Sequence, residues 1–157
     1  MWASKWPVKP EILLDGGNVA TNGADYVPCP DLSLLTTGHR PLNRKFSTIW
    51  ATSSATAQAS HMAAQLFAEY PDIWPETVRA LLIHSARWTS QMKEQFCTDD
   101  SKKTGRRKLL RTCGYGIPNI DRAIQCLNNS VNLIIQGEIQ PYEKDNGQIG
   151  MKEMHLH

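Results

Sequence analysis

Two adjacent serines, Ser53 and Ser54, stand where the segment "STIWATSSATAQASHMAAQL" (residues 47–66) turns from an apolar opening into a run of serine, threonine and alanine. A serine hydroxyl becomes a useful nucleophile only when a base removes its proton and dipoles receive the oxyanion formed on the attacked carbonyl. A helix N-terminus offers unpaired backbone N–H groups and a partial positive charge. Ser53 is therefore placed for acyl transfer, its own N–H serving as one oxyanion donor. The same residue type at a helix start also serves as a plain cap. A buried helix that must pack closely would use small residues with no chemistry at all.

The elements around these serines follow from periodicity and turn residues. A helix is predicted over residues 54–69, with Ala55, Ala59, Met62, Ala63 and Leu66 at i, i+4, i+7, i+8, i+11 and Gln58, Gln65 and Glu69 elsewhere. Pro71 ends it, since the residue before a proline is pushed out of the helical region. A second helix is predicted over residues 75–86. Pro75 suits its first position, Glu76 suits the positive end of its dipole, and Val78, Leu81, Leu82 and Ser85 share a face. Upstream, "VKPEILL" (residues 8–14) reads as a short buried strand closed by the turn Asp15-Gly16-Gly17-Asn18. Residues 19–46 read as a long loop. Residues 88–112 read as a solvated polar loop containing Lys102, Lys103, Arg106, Arg107, Lys108 and Arg111. "GYGIPNIDRAIQCLNN" gives a glycine turn and a short helix over residues 118–126. Val131, Leu133 and Ile135 alternate as a strand would, and "EMHLH" reads as the start of another.

The totals set bounds on this picture. The chain has 157 residues, 41% apolar and 20% charged, which suits one soluble globular domain. A net charge of +2 predicts no strong attraction to nucleic acid or membrane. No apolar run approaches the length of a membrane helix, and "MWASKWPVKP" has no signal-peptide core. Cys29, Cys97, Cys113 and Cys126 lack CxxC or metal-type spacing, so reduced thiols in a cytoplasmic protein are expected. Trp2 and Trp6 at one end and "MKEMHLH" at the other give both ends the look of cuts through something larger.

Four segments, taken in order, supply a resemblance. "KPEILLDGG" looks like the K-P-D-(apolar)-A-P-G strand of subtilisin-like serine peptidases (subtilases, S8-type), and "ATSSATA" resembles their nucleophile motif, G-T-S-x-A-x-P. "YPDIWPETVRALLIHSA" is similar to the helix that follows the nucleophile helix in that family. "YGIPNIDRA" resembles the closing Y-G-x-G-x-(I/L)-(N/D)-x-x-x-A. The resemblance spans roughly residues 6–128 and implies an α/β fold of three layers around a central, mostly parallel sheet, of which only the C-terminal portion is present. Residues 1–128 are then the C-terminal part of a peptidase domain, and residues 129–157 a β-rich tail, with a further domain as one reading of it. Unpaired sheet edges and exposed apolar surface follow, so the isolated chain is expected to aggregate or dimerise.

On that alignment Ser53 is the catalytic nucleophile of a serine endopeptidase and its N–H an oxyanion donor. Ala51 stands where the family has glycine, Ala57 where it has proline, and Gln58 where it has histidine. Asp15 falls where the family often has proline and is a turn residue. The triad of this family runs Asp, His, Ser along the chain. No D-(S/T)-G, H-G-T or oxyanion asparagine occurs in the 52 residues before Ser53. A home-made triad of Asp15, His39 and Ser53 has the right order but would require reinventing the geometry. His61 lies two turns along the helix from Ser53, about 12 Å at 1.5 Å per residue. His84 reads as a packed or capping residue, and His155 and His157 lie in the tail. No cofactor is implied, and no calcium ligand set is identifiable. The expected partners are a polypeptide substrate and the missing N-terminal half of the domain, on the same or a separate chain. The alternative is an inactive subtilase remnant acting as a binding or structural module.

Overall fold

The computed structural model describes residues 8–97, 103–128, 134–145 and 147–151. Among the described residues come two β-hairpins with a short 3-10 helix between them (Pro30–Leu32), five α-helices and a third hairpin. β1 (Val19–Thr21) pairs antiparallel with β2 (Tyr26–Pro28), and β3 (Leu34–Thr37) with β4 (Phe46–Ile49) in the register Leu34↔Ile49 to Thr37↔Phe46. The helices are α1 (Thr52–Glu69), α2 (Pro75–Ser85), α3 (Ser90–Phe96), α4 (Lys103–Cys113) and α5 (Ile120–Leu127). β5 (Tyr142–Asp145) and β6 (Gln148–Met151) form the last hairpin. The fold is mixed α/β. All strand pairing among the described residues is antiparallel and confined to these two-stranded sheets, so the central parallel sheet expected from the resemblance is not among them.

The core lies where α1, α2 and α5 meet. Leu66 of α1, Val78, Leu81 and Leu82 of α2, and Ala123, Cys126 and Leu127 of α5 form one apolar cluster with Ile73. The apolar face read in α2 is the buried one, residue for residue. In α1 the predicted stripe is turned inward, but Leu66 is the only one of its residues to be buried.

Helix ends explain the boundaries. Pro75 opens α2, and the Gln136 side-chain oxygen accepts from the Trp74 N–H at 2.8 Å and from the Thr77 hydroxyl at 2.7 Å, pinning the tail to that helix start. Asn119 caps α5 by accepting from the Arg122 N–H at 2.8 Å, and Thr89 caps α3 through the Met92 N–H at 3.2 Å. Tyr70 closes α1 just before Pro71.

Several sequence expectations are corrected. Residues 8–14 form no strand: Leu13 donates to the Gly116 carbonyl and Tyr115 to that of Glu11, at 2.9 and 2.8 Å. The partner is a turn whose Gly114 and Gly116 have φ of 55° and 99°, outside the extended region, so no ladder continues. Residues 19–46 are not a loop. They hold the first hairpin and the second as far as the start of β4; the first is turned by Asn22, whose side-chain oxygen accepts from the Ala24 and Asp25 N–H groups. Their strands are short and mostly exposed, Leu35 and Phe46 included, so no inward-outward alternation marks them. The polar segment 88–112 contains α3 and α4. Helix α4 buries only Gly105, Leu109 and Cys113, a stripe too narrow to stand out among its basic residues. The strand read through residues 131–135 falls partly outside the described residues, and Ile135 is in no strand; "EMHLH" lies outside them altogether.

Candidate active site

The approach to Ser53 is built by the turn at residues 15–17. The Asp15 carboxylate accepts from the Gly17 N–H at 2.8 Å, closing a tight Asx-type turn. Gly17 sits at φ 79°, and a Cβ there would lie 2.9 Å from the Trp50 Cβ, so only glycine lets the turn press against the chain before α1. The Gly16 carbonyl then accepts from the Ala51 N–H at 2.7 Å. Ala51 itself is extended, with φ −165° and ψ 150°, a conformation open to any residue. The alanine that replaces the family's glycine therefore costs no backbone strain.

Helix α1 starts at Thr52, two residues before the predicted boundary, which makes Ser53 its second residue. Ser53 is exposed, and its hydroxyl makes no hydrogen bond among the described residues. No side chain caps this helix start. The capping role open to Ser53 in the sequence is thus not the one it plays. Farther along, the Thr56 hydroxyl donates back to the Thr52 carbonyl at 3.2 Å, and the Ser60 hydroxyl to the Thr56 carbonyl at 2.9 Å. Those two hydroxyls are engaged with their own helix, while that of Ser53 is not.

The backbone donors at this helix end are also open. The Ser54 N–H reaches the Ala51 carbonyl at 3.0 Å, whereas those of Thr52 and Ser53 have no partner among the described residues. Chemically, the arrangement presents an exposed hydroxyl beside unpaired N–H groups at the positive end of an 18-residue helix.

The other candidate groups are not gathered here. Asp15 is committed to its turn, as expected. His39 is exposed in the β3–β4 connection, and no hydrogen bond among the described residues joins Asp15, His39 and Ser53. His61 is exposed on α1. His84, exposed on α2, has its Nδ1 3.9 Å from the Cys126 sulfur. His155 and His157 lie outside the described residues. Among the described residues no group of three or more His, Cys, Asp or Glu could hold a metal ion, and no helix is long and apolar enough to cross a membrane. The four cysteines form no disulfide, and burial pushes the Cys113 thiol pKa up.

Two contacts were not legible in the sequence. The Gln58 side chain donates to the Asp15 carbonyl at 2.6 Å and lies 3.3 Å from that of Ser54. Arg79 of α2 forms a forked ion pair with Glu11, which Lys9 joins at 3.1 Å. The hydrogen bond from Arg79 holds the Glu11 carboxyl below its usual pKa, against a smaller opposing effect of burial. The signal for Gln58 was its departure from the family's histidine; the partner 43 residues away could not be seen.

Comparison with known proteins agrees with the first three of the four motifs, and the match ends just inside the fourth. Residues 2–116 match the subtilase family, Peptidase_S8, and the chain belongs to that family. It is also 32% identical over 94 residues to Uncharacterized protein y4bN of Sinorhizobium fredii (strain NBRC 101917 / NGR234), a match covering 60% of this chain and 21% of that protein. The chain thus spans about a fifth of the length of this curated relative. No solved structure matches.

Proposed function

We propose that the chain is the C-terminal part of a subtilisin-like serine endopeptidase domain and that Ser53 is its nucleophile. The observation that carries this reading is the exposed Ser53 hydroxyl at the open N-terminus of α1, at the position of the family's motif serine. In the assembled domain the Ser53 oxygen attacks the carbonyl carbon of a peptide bond. Its proton passes to a histidine supplied by the N-terminal half and oriented there by an aspartate. The Ser53 N–H is one donor to the oxyanion. Collapse of the tetrahedral intermediate breaks the C–N bond, the histidine returns the proton to the leaving amine, and water later hydrolyses the Ser53 ester. The same N-terminal half contributes the rest of a three-layer α/β domain around a mostly parallel sheet. Unpaired cysteines support a reducing, cytoplasmic setting.

The chain alone should hydrolyse peptides negligibly, because loss of the histidine removes nearly all triad catalysis. The test is labelling by a fluorophosphonate, read by mass spectrometry at Ser53, in the product of the reading frame extended upstream of Met1. Labelling at Ser53 supports the peptidase. An extended product that carries the Asp and His motifs yet leaves Ser53 unlabelled overturns it in favour of the inactive remnant.

A further inference from the structure

We infer that Gln58 is a positioning residue for Ser53, an inference that rests on the peptidase reading above. Gln58 lies on α1 five residues after Ser53. Its side-chain amide donates across 43 residues to the Asp15 carbonyl at 2.6 Å. The next carbonyl in the turn, that of Gly16, accepts from Ala51 at 2.7 Å. The 15–17 turn is thereby fastened at one point to the residue before α1 and at another to the helix itself. Ser53 stands between these two attachments.

This bracing matters because the helix start has no cap of its own. An uncapped first turn frays, and fraying would spread the directions of both the Ser53 hydroxyl and its N–H. Gln58 acts only through the backbone: it neither touches the hydroxyl nor exchanges a proton. Its short contact removes freedom from the turn, and the turn in its third residue, Gly17, packs on Trp50. Displacement of a reacting group by about 1 Å can cost on the order of 100-fold in rate.

The test compares fluorophosphonate inactivation of the extended, labelling-competent product with that of its Gln58→Met and Gln58→His variants. Gln58→Met keeps the length of the side chain and removes the donor. The inactivation rate constant at saturating probe should fall roughly 10- to 100-fold with probe affinity and melting temperature little changed. Gln58→His, which puts an N–H donor back and matches the family motif, should recover most of the rate. Equal rate constants in the wild type and Gln58→Met overturn the positioning role while leaving the peptidase reading intact. A rate loss that tracks a fall in melting temperature and is not recovered by histidine also overturns it, leaving a purely structural contact. A wild type that carries the Asp and His motifs and does not label at all removes the peptidase reading, and this inference with it.

Discussion

Helices α1 and α2 lie against each other but meet their surroundings in different ways. Of the eleven residues of α2, Val78, Leu81, Leu82 and Ser85 are buried, whereas the eighteen residues of α1 bury Leu66 alone. Helix α2 packs against both α1 and α5, and Ser85 is held by bonds to the Leu82 carbonyl and from the Asn119 N–H. Helix α1 contributes to the core through its C-terminal half, with Met62 and Ala63 beside Leu66. Its first two residues, Thr52 and Ser53, are exposed, and Ser53 carries an unbonded hydroxyl. The difference teaches that stability and the proposed chemistry occupy opposite ends of one helix, so substitutions should separate them.

The sharpest way to break that comparison is at Leu66, fully buried in the core. Leu66→Ala should lower stability by about 2–5 kcal/mol, measured by urea unfolding, through lost burial and the cavity left behind. A smaller loss comes at Ser85. Ser85→Ala leaves the Asn119 N–H without its acceptor and should cost about 1–3 kcal/mol by the same measurement. If Leu66→Ala were nearly neutral, the core would not be where α1, α2 and α5 meet.

The ion pair of Glu11 and Arg79 should give a weaker, pH-dependent effect. Glu11 has a folded pKa below its unfolded value, chiefly through the Arg79 hydrogen bond. Its stabilisation is present in full above the unfolded glutamate pKa and is lost as pH falls through the lowered folded value. Glu11→Gln should therefore flatten the acid limb of a stability-against-pH curve and change little below it. The pair is largely solvent-exposed on the arginine side, so the effect is modest.

The smallest expected change is at the proposed nucleophile. Ser53→Ala should alter stability by no more than about 0.5 kcal/mol, since the hydroxyl is exposed and unbonded. A capping serine would instead cost about 1 kcal/mol. The same variant thus sharpens the distinction between a serine kept for the helix and one kept for chemistry.

Much of this was legible in the residues. The i, i+3, i+4 pattern of Val78, Leu81 and Leu82, bounded by Pro75, gave α2 its buried face, and Pro71 marked the end of α1. What escaped was structure whose stabilising contacts are backbone to backbone or far apart in sequence. The hairpins of residues 19–49 rest on pairing between exposed strands, and α4 on three buried residues spaced four apart. Residues 8–14 looked like a strand because the segment ends on the apolar run Ile12-Leu13-Leu14 before a turn, yet strand identity depends on an extended partner, and the turn at Gly114 and Gly116 is not one. At the candidate site, the proposal of Ser53 comes from residue type, order and motif. The brace from Gln58 to Asp15 needed coordinates.

The central claim is that the oxygen on residue 53 attacks carbonyl carbon once a histidine is supplied. Fluorophosphonate labelling of the upstream-extended product, mapped by mass spectrometry and compared with its Ser53→Ala variant, tests it most directly. The account predicts one phosphonyl adduct, on Ser53, absent from the variant and from residues 1–157 alone. An adduct on another residue, or none in a product that contains the Asp and His motifs, would contradict it.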